Sequence, residues 1–230
     1  MVVSRAWIDL DPQDLRNMLV SLIGYRFGER PEERIDDIRA ERAAYARSFL
    51  SLARLSPTDT VLDLGSGCGF GTAEIAAKAA FVHACDISPA FLDFARRECA
   101  DRSNVRFHLV EPRKLDVIES SSIDVVVSMS VFIHLNLYDI FCYFEEFTRI
   151  LRPGGRVVFD FADAHRLFTF WRSHGNNELF REHAAYYRKD PSCLAGLVQW
   201  NSATGITRIA RAAGFKRRKR RGHRLLFSRG

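Results

Sequence analysis

A chain of 230 residues with 47% hydrophobic and 27% charged residues can bury one sizeable core, so a single globular domain is the default. No apolar run is long enough to span a bilayer, and Arg5 and Asp9 interrupt Met1–Leu10, which excludes a membrane protein and a secretory signal as expectations. The net charge of +6 is matched by the six cations of Lys216–Arg221 alone, so the body of the chain is near neutral and lacks the overall basic character of a nucleic-acid binder. Cys68, Cys85, Cys99, Cys142 and Cys193 are scattered, odd in number and without a C-x-x-C pair. They fit a reduced, cytoplasmic compartment better than a disulfide framework or a zinc site.

Asp11-Pro12 opens the first expected helix, where Asp caps and Pro suits the first turn. Leu15, Met18, Leu19, Leu22 and Ile23 then recur at helical spacing until Gly24–Gly28 breaks it. A second helix is expected from Pro31 to Leu55, with Ile35, Ile38, Tyr45, Phe49 and Leu52 as its apolar stripe and Ser56-Pro57 as its stop. Strand and helix alternate from there, which argues for a parallel sheet covered on both faces. The expected strands are Thr60–Leu64, Phe81–Cys85, Val105–Val110, Asp124–Ser128 and Arg156–Phe161. Ser88-Pro89 starts one intervening helix, and Tyr138–Leu151 forms another, with Ile140, Phe141, Phe144, Phe147 and Leu151 as its apolar positions. Arg152-Pro153-Gly154-Gly155 stops that helix. Residues 162–199 break the alternation and mix Phe168, Phe170, Trp171, Phe180, Tyr186 and Tyr187 with polar residues, as an irregular helical lid would. Ser202 then caps a helix ending at Gly214, and Phe215–Arg221 and Arg224–Ser228 form an antiparallel pair joined at Gly222-His223.

The stretch that organises the chain is Val61-Leu62-Asp63-Leu64-Gly65-Ser66-Gly67-Cys68-Gly69-Phe70. A strand, a glycine turn and a helix in succession suit a nucleotide-like ligand, because glycine lets backbone approach a ligand closely. A dinucleotide loop needs G-x-G-x-x-G, and here Phe70 stands at the third glycine's place while Gly69 comes one residue early. Asp86 follows Gly65 by 21 residues, at the end of the second strand, where an acid can accept hydrogen bonds from ribose hydroxyls. Further on come Ile123-Asp124-Val125-Val126-Val127-Ser128-Met129-Ser130-Val131-Phe132-Ile133-His134-Leu135 and the turn Leu151-Arg152-Pro153-Gly154-Gly155.

Together and in this order, these elements resemble the class I S-adenosylmethionine (SAM)-dependent methyltransferases, with the likeness covering about residues 57–161. The resemblance implies an α/β fold: a three-layer, doubly wound, seven-stranded sheet in the order 3-2-1-4-5-7-6 with strand 7 antiparallel, N-terminal helices and a lid after strand 5. It divides the single domain into a helical cap (residues 1–56), a SAM-binding core (57–161), a substrate lid (162–202) and a closing helix and strand pair (203–230). It implies SAM as cofactor, with S-adenosylhomocysteine as product. Its cofactor residues would be Asp63, Gly65, Ser66, Gly67, Gly69, Asp86, Ile87, Glu111 and Ser128. Asp63 would serve the methionine amino group, Asp86 the ribose, Ile87 the adenine face and Glu111 the adenine amino group. Pro112 follows Glu111, and proline has no N–H for the adenine ring, so that contact is lost or passes to Arg113.

His134 is the candidate base, since it follows the fourth strand and imidazole titrates near neutral pH. His165, His174 and His183 are weaker candidates, and Tyr25 or Tyr138 could orient a substrate. Asp160, Asp163 and His165 could meet at a metal, but alternate strand side chains diverge, and no metal is expected. The expected acceptor is a small molecule methylated on O or N, by analogy from a bacterial secondary-metabolite or glycan pathway, because the extra segments are short and aromatic. A nucleic-acid partner is not expected: Lys216–Arg221 on an edge strand reads first as a solvated guard against aggregation. An RNA or protein methyltransferase using that strand, and a catalytically inactive partner subunit, are the rivals. A homodimer is compatible with the sequence.

Overall fold

The computed structural model describes residues 14–17, 19, 30–166, 181, 184, 188 and 198–230. Of the first expected helix, Asp14–Asn17 and Leu19 are helical; Asp11, Pro12, Met18, Leu22, Ile23 and Tyr25 lie outside the described residues. So do Phe168, Phe170, Trp171, His174, Phe180, His183, Tyr186, Tyr187 and Cys193.

A short 3-10 turn over Pro31–Arg34 leads into helix α1, Ile35–Ala53. Arg54 ends α1 by turning left-handed at φ 52° and donating its amide to the Leu50 carbonyl, so the helix stops ahead of Ser56-Pro57. The sheet strands are β1 (Thr60–Leu64), β2 (Phe81–Asp86), β3 (Val105–Leu109), β4 (Ile123–Ser128) and β5 (Leu151–Asp160). Between them lie helices α2 (Phe70–Ala76), α3 (Pro89–Glu98) and α4 (Leu137–Ile150). Ser88 caps α3 through the Phe91 amide, with Pro89 in the first turn.

After β5, two short strands, β6 (Ala162–Asp163) and β7 (Trp200–Asn201), pair in parallel. The two ends of the expected lid are therefore pinned side by side, a ladder the mixed composition of 162–199 does not signal. Ser202 caps helix α5 (Ala203–Ala212) through the Gly205 amide, and β8 (Phe215–Arg221) and β9 (Arg224–Arg229) complete the chain. The strand order is β3-β2-β1-β4-β5-β9-β8, with β9 antiparallel to both neighbours. This is the expected order, β8 and β9 being the sixth and seventh strands of the main sheet.

The alternation of strand side chains builds two cores. Leu62, Leu64, Val126, Val157, Phe159 and Phe227 face α4 and α5, where Phe144, Phe147 and Ile206 cover them. Their neighbours Val61, Val125, Val127 and Val158 face α1 and α2, under Phe49, Leu50 and Ile75. The first core is aromatic: Phe144 meets Phe147, Phe159, Phe215 and Phe227 edge-on at 5.1–6.0 Å between ring centroids. A third, smaller cluster joins Leu15, Leu19 and Ile38 to Cys68, Phe70 and Phe94, tying the N-terminal segment to the glycine loop and its flanking helices.

Two expectations are corrected. Phe141 belongs to no core face and is 38% exposed, while Tyr143 takes a buried place on α4. Strand β5 begins at Leu151, not Arg156: Leu151 already pairs with Ile123, and the register shifts before Val125. Gly154, at φ 77°, lets Arg152–Gly155 bulge outward without ending the ladder.

Phe144→Ala removes the ring that four others pack against, and is expected to cost about 3–5 kcal/mol. Urea denaturation monitored by far-UV circular dichroism measures it. A cost under ~1.5 kcal/mol, the range of a volume-conserving core swap, would show that this core is not a single packed unit.

Candidate functional site

Because β1, β2, β4 and β5 run in parallel, the chain leaves the sheet at one common edge after Leu64, Asp86, Ser128 and Asp160. The carboxyl edge of such a sheet, where the strand order reverses about β1, is where ligands of doubly wound folds bind. The β8–β9 turn reaches the same edge, for the Phe161 amide donates to the His223 carbonyl at 3.0 Å.

The loop after β1 is bent towards β2 by two amides, Gly65 and Ser66, which both donate to the Cys85 carbonyl at 2.8 and 3.0 Å. Asp86 fixes its middle: one carboxylate oxygen accepts the Gly67 amide at 2.8 Å, the other the Ser88 amide at 2.9 Å. Gly65, Gly67 and Gly69 all have positive φ. At Gly65 a Cβ would stand 2.1 Å from a methyl of Val131, and at Gly69 2.8 Å from the Ala95 backbone. The glycines thus admit α3 on one side and the loop after β4 on the other.

Behind the loop, Asp63 is fully buried and accepts the Thr72 hydroxyl at 2.6 Å through one oxygen. Its other oxygen, Oδ1, and the Ser66 hydroxyl are buried without a hydrogen-bond partner among the described residues. Burial pushes the Asp63 carboxyl up to about 7; the Thr72 hydroxyl opposes this, the Asp86 charge adds to it and Arg42 opposes it. Burial also raises Asp86, against the amides of Ser88, Gly67 and Ile87. Two buried carboxyl groups and two orphaned oxygens form a site built to receive a ligand that supplies donors or positive charge.

The other expected cofactor residues differ in placement. The Ile87 side chain is 58% exposed beside Asp86, open to a flat ligand face. Glu111 is exposed and pairs with Lys114, whose ammonium holds its carboxyl below the usual range. Arg113, next to Pro112, has φ 65° and gives its N–H to the Tyr143 hydroxyl at 3.1 Å and its guanidinium to Asp139 at 3.0 Å. Ser128 turns into the sheet, where its buried hydroxyl donates to the Leu64 carbonyl at 2.9 Å and clamps β1 to β4.

His134 ends a 3-10 turn, Phe132–His134, after β4. Gln199 bonds the Ile133 carbonyl at 2.7 Å and Asn201 bonds that of Leu135 at 2.8 Å, so the chain entering β7 braces this turn. The His134 Nδ1 is buried without a partner among the described residues. Asp160 and Asp163 do not converge on a shared point: Asp160 accepts from Tyr45 and the Ser130 amide, Asp163 from Arg220 and the His165 amide. Tyr138 is 86% exposed.

Sequence reasoning did not find Tyr45, His223 and Arg224 at this edge. The Tyr45 hydroxyl donates to Asp160 and lies 3.4 Å from His223 Nε2, and the Arg224 guanidinium stands 4.9 Å from the Tyr45 ring. These residues come from a helix, a turn and an edge-side strand, and no local spacing links them. The basic strand is partly spent within the fold, since Arg217, Arg218 and Arg220 donate to Thr207, Ser228 and Asp163.

Residues 61–155 match the family model described as a methyltransferase domain. The arsenite methyltransferase of Halobacterium salinarum is 38% identical over 114 residues, covering 47% of this chain and 28% of that protein. A demethylmenaquinone methyltransferase of Tropheryma whipplei is 31% identical over 133 residues, covering 56% of this chain and 54% of that protein. The chain thus spans about half or less of the length of these relatives. Among solved structures, the geranyl diphosphate C-methyltransferase of Streptomyces coelicolor, in complex with Mg2+, geranyl diphosphate and S-adenosyl-L-homocysteine, shares the fold. Its TM-score is 0.60 at 17% identity, covering 83% of this chain and 68% of that one.

Asp63 gives a pH-dependent signature. Its folded pKa lies above the unfolded value, so between about pH 4 and 7 the native state holds a proton that the unfolded state releases, and this group's contribution to stability falls as pH rises. Asp63→Asn removes that loss, so the difference in urea midpoint between variant and wild type should move in the variant's favour from pH 5 to pH 8. An equal difference at both values would mean that Asp63 is ionised in the free protein.

Proposed function

We propose that this member of the class I SAM-dependent methyltransferases moves a methyl group from SAM to an oxygen or nitrogen atom of a small-molecule acceptor. The observation that carries the reading is the pair of buried oxygens on Asp63 and Ser66, without partners among the described residues, behind a three-glycine loop whose centre is held by Asp86. The residues present fit the cofactor. Gly65, Ser66, Gly67 and Gly69 would line its methionine end, and the spare Asp63 oxygen would take its ammonium group. Asp86 accepts the Gly67 and Ser88 amides on different oxygens, and a carboxylate has lone pairs to spare for a ribose hydroxyl. Ile87 would lie against the adenine, and Glu111 would reach its amino group only by leaving Lys114. Ser128 would act through the clamp it makes between β1 and β4.

When bound, SAM supplies a methyl carbon made electrophilic by a positive sulfur. The chain's own part is to hold the acceptor in line, exclude water and take the proton that an alcohol or neutral amine loses. In this reading His134 takes that proton, at the rim of the loop after β4.

A small acceptor is favoured by the small substrates in the names of two of the relatives, arsenite and demethylmenaquinone, and three of the six cations of the basic strand already donate within the fold. The methyltransferase-domain match supports the cofactor, and the solved relative holds S-adenosylhomocysteine.

Isothermal titration calorimetry with SAM and S-adenosylhomocysteine tests the reading. Saturable one-to-one binding is expected, and its loss on Asp86→Ala; no heat at millimolar cofactor would overturn it. Once an acceptor is in hand, His134→Ala is expected to lower kcat ~10²–10⁴-fold at unchanged S-adenosylhomocysteine affinity. A loss below tenfold would leave His134 as part of the brace between β4 and β7.

A further inference from the structure

At the β5 and β9 end of the same edge, Arg224 and Arg166 have no carboxylate partner among the described residues. Arg224 begins β9 directly opposite Asp160, yet Asp160 spends its oxygens on Tyr45 and on the Ser130 amide and makes no ion pair with Arg224 among the described residues. The half-buried Arg224 guanidinium lies 4.9 Å from the ring centroids of both Tyr45 and Phe49, with its Nε buried and unpartnered among the described residues. Arg166 is exposed and lies over the β8–β9 turn: its Nη1 is 3.3 Å from His223 Nδ1 and 3.8 Å from the place where a Gly222 Cβ would be. It too has no carboxylate partner among the described residues. Arg220 is already neutralised by Asp163.

The hydrogen bonds define the protonation. A guanidinium only donates, so His223 Nδ1 accepts from Arg166, the imidazole is neutral, and its Nε2–H faces the Tyr45 oxygen. Tyr45 in turn donates to Asp160. Every group in the chain Arg166–His223–Tyr45–Asp160 is oriented, and among the described residues the Arg224 Nε and the exposed Arg166 guanidinium keep donors that no carboxylate takes. A part-buried cation such as Arg224, with no counter-ion among the described residues, is costly to leave unpaired. An oxyanion with two or more oxygens would satisfy both arginines, since guanidinium binds carboxylate and phosphate through paired N–H groups.

We propose that Arg224, Arg166 and His223 bind the anionic group, a carboxylate or phosphate, of the methyl acceptor. The inference rests on the methyl-transfer reading, because that reading makes this end of the edge the acceptor's side. The cluster is joined to the loop after β4 through Asp160 and the Ser130 amide, and that loop packs Val131 on Gly65. An anion held there would leave the remainder of the acceptor beside the methionine end of the cofactor loop.

The test uses the full chain saturated with S-adenosylhomocysteine. Inorganic phosphate and, separately, acetate are titrated while the His223 imidazole carbon resonance is followed, assigned by its loss in His223→Gln. A saturable shift at millimolar anion is expected. Arg166→Ala and Arg224→Ala should each weaken it about tenfold or more, while Lys216→Ala on the exposed face of β8 leaves it unchanged. Arg166 is exposed, so its variant keeps the test valid if Arg224→Ala fails to fold. Tighter phosphate marks a phosphate ester as acceptor, and tighter acetate a carboxylic acid. A shift that does not saturate, or that Lys216→Ala weakens as much as the arginine variants do, overturns the proposal. So does a matching loss of S-adenosylhomocysteine affinity in Arg166→Ala or Arg224→Ala, which would give the cluster to the cofactor's own carboxylate. Failure of wild type to bind S-adenosylhomocysteine would instead sink the methyl-transfer reading, and the anion titration on the cofactor-free chain would still report on the cluster.

Discussion

The site depends on how closely two loops pass at the end of β1 and β4. Val131 occupies the space in which any side chain at position 65 would have to stand. The Gly65 and Ser66 amides can then reach Cys85, Gly67 can reach Asp86, and α3 can lie against Gly69. Ser128 clamps the two strands from inside, through Leu64, so the approach is set by the sheet and not by the loops alone. Glycine here permits positive φ and also removes the atoms that would hold the layers apart. The Asp63 carboxyl beneath bonds Thr72 on α2, and its other oxygen has no hydrogen-bond partner among the described residues. A buried acid left half satisfied is destabilising in the free protein, which is the pattern of a group kept for a ligand.

Much of this architecture was legible in the sequence because it is local or periodic. The Val125-Val126-Val127 run reads as a strand buried on both faces, and its alternate residues indeed enter opposite cores. Ser88-Pro89 and Ser202 read as caps and are caps. Gly222-His223 reads as a tight turn and joins an antiparallel pair. The glycine loop and Asp86 are found together because the two strands that carry them are neighbours in a parallel sheet.

What was not legible depends on distance in the chain. Tyr45 fits the apolar stripe of α1, and nothing near it in sequence says that its hydroxyl will meet Asp160, 115 residues on. His223 looks like any polar turn residue until the β8–β9 hairpin is laid beside the end of β5. Arg152–Gly155 does follow the end of α4, but a Pro-Gly-Gly run breaks helices and strands alike, and only the partner residue Ile123 shows that the strand has already begun at Leu151 and bulges there. The β6–β7 ladder is two residues per strand, too short to leave a periodic trace.

The buried acids and the arginines of the edge stand at different ends of it, and the reason is topological. Asp63 and Asp86 end up buried under the loop after β1 because parallel strands aim their final residues at one line. Arg224 arrives at that line only because β9 runs the other way, placing its first residue, not its last, beside Asp160. A fully parallel sheet would offer this edge strand ends alone. The single antiparallel strand lets a hairpin insert His223 and Arg224 among them, and the burial that raises the acids also keeps His223 neutral, aided by Arg224 and Arg166 against the opposing charge of Asp160. On the readings proposed above, a pocket for a cation and a rim for an anion would lie on one edge, joined through Ser130 and Val131. A cationic cofactor end and an anionic acceptor would each meet the sign of charge that attracts it, and neither could exchange places with the other without facing repulsion.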